Sequence, residues 1–475
     1  MRRAAVFGIG LTAFLACGDP AVPTTGEPDL TTVNGARHPV VAPGEVAGWS
    51  GFGFGAEQGT GVLFVTTAAG LVAIPVIEWS DVGILAQLPG DVTSGPTWVV
   101  SAGDSLGPVP LTVRPAAVFT PGVRAWSEAA PLPEARAAAG AAALVYPGDA
   151  GATAIAVLFG GALPDSSLSD ATHLGQVDQN GRITGWNAAP DTVIPAPRRD
   201  HAMAGGDPSN SRVSRLSGSG EAEAVAYLIG GRDTAGGVLA TVHGLAVSAT
   251  GGYGLWSPLT PLPGARAGAT AIVAFGNLIV IGGYGPDSLA LPDVSVAAIA
   301  DDGTLNGWFD GPRLPEGLAY ASVALHGQTL YLTGGERGLI APGGVTDTAS
   351  LTGSVVTIRL SPRSGSFLDS VWTTAPSLLH PRSRHAAFAI DDALVATGGV
   401  YAGMPGTGES EYATVAADGT LGAFAELPPP TIAALAGAPV WSFAIPRLMA
   451  RDGAWRASLL GGATTAGASA RTWSQ

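Results

Sequence analysis

Tyr253-Gly254-Leu255-Trp256, then Leu262-Pro263-Gly264-Ala265-Arg266, then the apolar run from Ile279 that closes on Gly282-Gly283, follow one another along the chain. An aromatic stands after a turn, a proline precedes an arginine, and an apolar strand ends at a glycine pair. Glycine tolerates positive φ, and proline withholds a backbone donor. The stretch therefore reads as short strands separated by enforced turns.

The same order recurs in both directions. Aromatics stand at Trp126, Trp186, Trp256, Trp308, Trp372 and Phe424, with spacings of 60, 70, 52, 64 and 52 residues. The second landmark appears as Leu132 to Arg136, Ile194 to Arg198, Leu262 to Arg266 and Leu378 to Arg382, with weaker copies at Leu314 to Leu318 and Leu427 to Thr431. The glycine pairs that end apolar strands fall at Gly161, Gly231, Gly283, Gly335, Gly399 and Gly462, counting the second of each. Three landmarks repeated in one order point to a repeat architecture.

Over residues 116–475 this pattern resembles kelch repeats, which implies a six-bladed β-propeller. A four-stranded blade cannot bury both faces alone, so blades stack around an axis. Too few residues follow Gly462 to supply two outer strands, so the segment from Ala116 to Trp126 is expected to close the last blade.

Upstream, residues 38–115 carry Val62 to Thr66, Val72 to Val76, Val82 to Ala86, Trp98 to Val100 and Leu111 to Val113, apolar runs between turn residues. Strands this dense without helical periodicity predict a small immunoglobulin-like β-sandwich. Pro43-Gly44, the run Gly48 to Gly55, and Trp79-Ser80-Asp81 give the segment a resemblance to IPT/TIG domains, which implies a spacer or adhesive module. The fold class expected for the whole chain is thus all-β.

Residues 18–37 are rich in Pro, Gly, Thr and acidic residues and read as a flexible tether. Residues 1–17 open with Arg2-Arg3, continue with an apolar run and end at Cys17, the only cysteine. The run is too short to span a bilayer but suits a signal peptide. Phe14-Leu15-Ala16-Cys17 resembles a bacterial lipobox, which implies lipidation of Cys17. Export and lipid anchoring to the bacterial cell envelope, with the outer membrane favoured, follow as expectations, the lipid being the chain's one membrane contact.

The formal charge of −14 repels phosphate backbones and argues against nucleic-acid binding. All 23 basic residues are arginine, so Schiff-base and phosphate-loop lysine chemistry is excluded. A radical copper site built on a tyrosine–cysteine crosslink is excluded too, because Cys17 lies in the leader. The sequence offers no nucleophile elbow, cofactor loop or clustered metal ligands, so no cofactor, metal or catalytic residue is assigned.

The ligand-binding candidates are Arg136, Arg198, Arg266 and Arg382, which the repeat would bring to one end of the channel. Two readings stand open: a guanidinium cluster facing a carboxylate or sugar acid, or local pairing of each arginine inside its own blade. His201 and His385 occupy a variable repeat position and read as structural. Loops at 207–223, 338–351 and 402–411 are longer than most and suit either partner binding or tolerated surface variation. The function expected is non-enzymatic binding of an unidentified protein or glycan through the propeller face. A carbohydrate-acting enzyme of sialic-acid-processing type and a purely structural envelope component are the alternatives.

Overall fold

The computed structural model describes residues 28–37, 39–114, 117–121, 126–146, 153–192, 196–205, 223–341, 348–401, 410–428, 447–449, 455–461, 463–464 and 467–474. Among them the regular elements are β-strands, apart from one 3-10 turn at Thr348–Ser350. The chain is all-β, and no described helix is long and apolar enough to cross a membrane.

Five four-stranded antiparallel sheets follow one another as simple meanders. The first comprises Gly140–Tyr146, Thr153–Phe159, Thr172–Val177 and Ile183–Ala188. The second comprises Ala202–Gly205, Glu223–Ile229, Val242–Ser248 and Ser257–Leu259. The third comprises Thr270–Ala274, Asn277–Ile281, Val294–Ala298 and Phe309–Asp310. The fourth comprises Ser322–His326, Thr329–Thr333, Val355–Arg359 and Thr373–Ala375. The fifth comprises Ala386–Ile390, Ala393–Thr397, Ser410–Thr414 and Ala425–Glu426.

A sixth sheet draws on both halves of the chain. Arg447–Met449, Trp455–Leu460 and Thr472–Ser474 are completed by Ser127–Glu128 as the outer strand, with Ser127 opposite Ser474 and Glu128 opposite Trp473. The seam continues inward, where Leu132 N–H donates to Ala470 O at 2.7 Å and Arg136 N–H to Ser469 O at 3.0 Å. The described seam strand is Ser127–Glu128, just after Trp126; residues 116 and 122–125 of the expected edge lie outside the described residues. Phe119, expected in that edge, instead packs on the fifth sheet: its ring lies 5.2 Å from Tyr412 and its N–H donates to Asp392 Oδ1.

Strand alternation explains how the sheets hold one another, since successive side chains point to opposite faces. Along Thr153–Phe159, Ile155, Val157 and Phe159 join a core shared with the second sheet, while Ala154, Ala156 and Leu158 join one shared with the sixth. Similar cores lie between the second and third, third and fourth, fourth and fifth, and fifth and sixth sheets. The first strands of successive sheets touch in turn, and Gly140–Tyr146 also meets Arg447–Met449.

The landmark residues fasten these junctions. Trp256 donates its indole N–H to Thr172 Oγ1 of the preceding sheet at 2.9 Å. Trp308 reaches Thr260 O at 3.0 Å and Trp372 reaches Pro312 O at 2.8 Å in the same sense. The glycine pairs have a specific reason. Gly230 has φ +59, and a Cβ there would collide with Arg266 O of the next sheet. The following Gly231 N–H donates to that same carbonyl at 3.0 Å. The pairs at Gly160, Gly282 and Gly334 repeat the contact, with Arg198 O, Leu318 O and Arg382 O as the neighbouring oxygens.

Ahead of these sheets lies a separate two-sheet unit with its own core around Trp49, Phe54, Leu63, Ile84 and Val99. Trp49 is fully buried, and its indole donates to Thr97 Oγ1 at 3.0 Å. One sheet contains Asp29–Val33, which pairs with Val46–Phe52. The unit therefore starts ahead of the expected boundary at His38, inside the stretch read as tether. It docks on the fourth sheet through Ser50, which donates to Arg363 O at 3.0 Å, and through Arg363 Nη1, which donates to Ser80 Oγ at 2.9 Å.

Candidate functional site

The four arginines singled out by the repeat are buried, with 0–4% of their surface exposed. Each donates into its own sheet. Arg136 Nη1 reaches Gly160 O at 3.2 Å, Arg198 Nη1 reaches Gly230 O at 3.1 Å, Arg266 Nη1 reaches Gly282 O at 3.3 Å, and Arg382 Nη1 reaches Gly398 O at 3.0 Å. Arg382 also sits 2.6 Å from Glu411, itself buried. Burial depresses the pKa values of Arg136 and Arg266 and brings Arg198 to about 10. These guanidinium groups thus cap the carbonyl of the first glycine in four of the pairs, and none of them lines either channel cavity. Of the two readings open for these arginines, the geometry is that of local pairing inside each sheet.

His201 and His385 fill space between sheets. A Cβ on Gly140 would press on His201 Nε2 at 2.6 Å, and His385 Nε2 lies 2.8 Å from Thr333 Oγ1. Burial, then the adjacent Arg198 or Arg382, lowers both to about 3, so they are neutral near pH 7. Among the described residues no group of three or more His, Cys, Asp or Glu is placed to hold a metal ion. Cys17, Thr431 and most of the long loops fall outside the described residues.

A different set of side chains meets at the channel end, each two residues beyond the arginine landmark or its leucine substitute. Ala138, Asp200, Tyr320 and Arg384 all adopt left-handed φ, between 52° and 55°, and Gly268 has φ 60°. Their backbones form a chain from sheet to sheet: Asp200 N–H donates to Ala138 O at 3.1 Å, Gly268 to Asp200 O at 2.7 Å, Tyr320 to Gly268 O at 2.7 Å, and Arg384 to Tyr320 O at 3.0 Å. Non-glycine residues in this region cost about 1–3 kcal/mol each, and the surrounding structure must hold them there. Here the inter-sheet hydrogen bonds supply that restraint and turn the side chains onto a shared cavity of about 200 Å³.

The second contribution comes from the residue after each glycine pair, Tyr284 and Glu336 among them. The Arg384 guanidinium lies 3.5 Å over the Tyr320 ring, a cation–π contact. Its Nε is 3.1 Å from Glu336 Oε1 and its Nη1 is 3.8 Å from Asp200 Oδ1. Glu336 Oε1 also accepts from Ser383 Oγ at 2.8 Å, and Arg199 Nε stands 3.6 Å from Asp200 Oδ2. The Tyr320 and Tyr284 hydroxyls are 3.5 Å apart.

Burial raises the Glu336 pKa, and the Arg384 cation and the Ser383 hydroxyl act against that rise. Burial opposes the charge on Arg384, yet Tyr320, Glu336 and Asp200 hold its pKa above the ordinary value. Tyr320 is pushed well up by burial and then by Asp200, so it is a neutral phenol. Arg384 Nη2 and Glu336 Oε2 are buried and make no hydrogen bond among the described residues. The cluster offers carboxylate acceptors and a guanidinium donor side by side, an arrangement suited to recognising a polar ligand.

The other end of the channel carries a second cavity of about 370 Å³. Asn34, Glu45 and Arg114 of the two-sheet unit line it together with the first strands of the sheets. Ala141, Met203, Ala271, Val323 and Ala387 line both cavities, so these residues mark the waist between them. The two-sheet unit covers that far end, and the Asp200–Tyr320–Arg384 cluster stands at the opposite one. Protein-family models give no match to this chain, and a comparison with curated proteins also finds none.

Proposed function

We propose that the chain is a six-bladed kelch-type β-propeller carried on an IPT/TIG-like sandwich, exported and lipid-anchored through Cys17 to the bacterial envelope, and that it binds a protein or glycan without transforming it. Six successive four-stranded sheets with shared cores support the propeller reading. The strand order and the buried Trp49 support the immunoglobulin-like reading of the first unit.

One observation carries the binding reading. The channel is covered by the two-sheet unit at one end, and at the other it presents Asp200, Tyr320 and Arg384 around a cavity. A rigid scaffold that turns a few polar groups onto one concavity is the usual form of a recognition site. The sandwich, standing between anchor and propeller, leaves that mouth free to face away from the membrane.

The test is saturable binding of the full chain to glycan arrays and to envelope proteins, compared with an Asp200→Asn variant. Binding that weakens in the variant supports recognition at the mouth. Turnover of a bound glycan would overturn the non-enzymatic reading in favour of a carbohydrate-acting enzyme, and absence of any partner would favour a structural envelope component. Incorporation of labelled palmitate, abolished by Cys17→Ser, checks the anchor separately.

A further inference from the structure

We infer that the mouth cavity is a subsite for a single neutral sugar ring, held by hydroxyl groups that bridge Asp200 and Arg384. The inference rests on the reading of the mouth as a recognition site and names the chemistry it selects. Three features lead to it.

The first is unused hydrogen-bonding capacity. Arg384 lines the cavity with its side chain only 10% exposed, yet among the described residues its Nη2 has no hydrogen-bond partner. An unmatched donor in such a place costs about 1–3 kcal/mol or more, and a ligand acceptor would remove that cost. Asp200 faces the same space, with its carboxylate oxygens 3.6 Å and 3.8 Å from the nearest guanidinium nitrogens, beyond hydrogen-bond distance. It retains acceptor sites for a donor from the ligand.

The second is charge. Glu336 and Asp200 already balance Arg384, and Arg199 adds a further cation beside Asp200. An incoming anion would meet the Asp200 carboxylate, with Glu336 behind Arg384, and an incoming cation would meet the Arg384 guanidinium, with Arg199 beside Asp200. A hydroxyl avoids both conflicts, because it donates to Asp200 and accepts from Arg384 Nη2 with one atom. Two neighbouring hydroxyls on a ring satisfy both groups at once.

The third is size and lining. The cavity of about 200 Å³ falls below the roughly 300–1,000 Å³ of sites for drug-sized molecules. Ala138, Ala139, Ala202, Ala269 and Ala321 give it small apolar walls, against which the C–H face of a sugar can rest. Tyr320 holds the guanidinium flat by stacking, so the donor is oriented before the ligand arrives.

The experiment uses the full chain, with saturation-transfer NMR and calorimetry against methyl glucoside, methyl galactoside and methyl mannoside as neutral probes, and glucuronate and glucosamine as charged ones. The expected result is binding of at least one neutral glycoside, weakened roughly ten- to a hundredfold by Asp200→Asn, as for loss of a charge-assisted hydrogen bond. Arg384→Gln leaves Glu336 unpaired and risks misfolding, so the double variant Arg384→Gln with Glu336→Gln, which removes both charges, is measured with it. It too should lose binding while its circular dichroism spectrum is retained. Preference for glucuronate or glucosamine, or neutral binding unchanged by Asp200→Asn, overturns the inference. Binding of a protein partner at the mouth without any monosaccharide binding also overturns it, while leaving the recognition reading intact. No binding of either kind removes both.

Discussion

Replacing Gly230 by alanine tests whether the glycine pairs latch one sheet to the next. Gly230 has φ +59, and an added Cβ would collide with Arg266 O, the carbonyl that also receives the Gly231 N–H. Three costs combine. Holding an L-residue in the left-handed region costs about 1–2 kcal/mol. Overpacking against a rigid neighbour costs roughly 1–3 kcal/mol. Weakening the Gly231 hydrogen bond costs about 1 kcal/mol. A total of about 4 kcal/mol is a large fraction of the roughly 5–15 kcal/mol that keeps a domain folded. Gly251→Ala is the matched control, because Gly251 has φ +87 and no described residue lies within 4 Å of its would-be Cβ. That variant carries only the conformational cost of about 1–2 kcal/mol. Urea unfolding followed by tryptophan fluorescence should separate them by about 1 M in midpoint, given a slope of about 3 kcal/mol/M. Equal midpoints for the two variants would refute the latch, since the collision is what distinguishes them.

Three further outcomes follow from the same contacts. Trp256→Phe keeps the ring between sheets but deletes the indole N–H to Thr172 Oγ1, and should lower stability by about 1 kcal/mol in urea unfolding. Glu411→Gln strips the counter-charge from buried Arg382 and should cost roughly 3 kcal/mol, whereas Arg382→Leu with Glu411→Leu should unfold at a midpoint nearer the parent than either single change. The native pKa values of His201 and His385, both about 3, lie below the unfolded value near 6.5, so the unfolded chain binds more protons between those limits. Stability is therefore full above about pH 6.5 and falls as pH drops toward 3, by about 2 kcal/mol per histidine at pH 5. Unfolding midpoints at pH 7 and pH 5 check this, and a His201→Gln variant should show a shallower fall.

The strands and junctions were legible because they impose backbone demands that few residues meet. A left-handed turn against a neighbouring carbonyl selects glycine, so Gly160-Gly161, Gly230-Gly231 and Gly282-Gly283 stand out by eye. An indole that must bridge two sheets selects tryptophan, so Trp256, Trp308 and Trp372 recur. The strand Asp29–Val33 was hidden because its Pro- and Gly-rich surroundings mimic a tether and a register shift between Leu30 and Thr32 breaks the alternation, so that Leu30 and Val33, three residues apart, both enter the Trp49 core. The arginines were seen, but sequence alone left open whether they face a ligand or pair locally. Their recurrence reports a glycine carbonyl that an arginine caps in four of the sheets, and a residue the scaffold uses in most repeats is poorly placed to carry a function that needs only one site.

The mouth was invisible for the converse reason. Its ring position asks only for left-handed φ backed by an inter-sheet hydrogen bond, and Ala138, Asp200, Gly268, Tyr320 and Arg384 each satisfy that demand. No shared residue type marks the position, so its only sequence signal is a constant offset from the landmark before it. Yet that freedom is what lets five backbone-equivalent positions carry five different side chains and build one asymmetric cluster. In a scaffold of repeats, the invariant positions hold the sheets together. Recognition of a single ligand has to come from positions where the backbone repeats and the side chains do not.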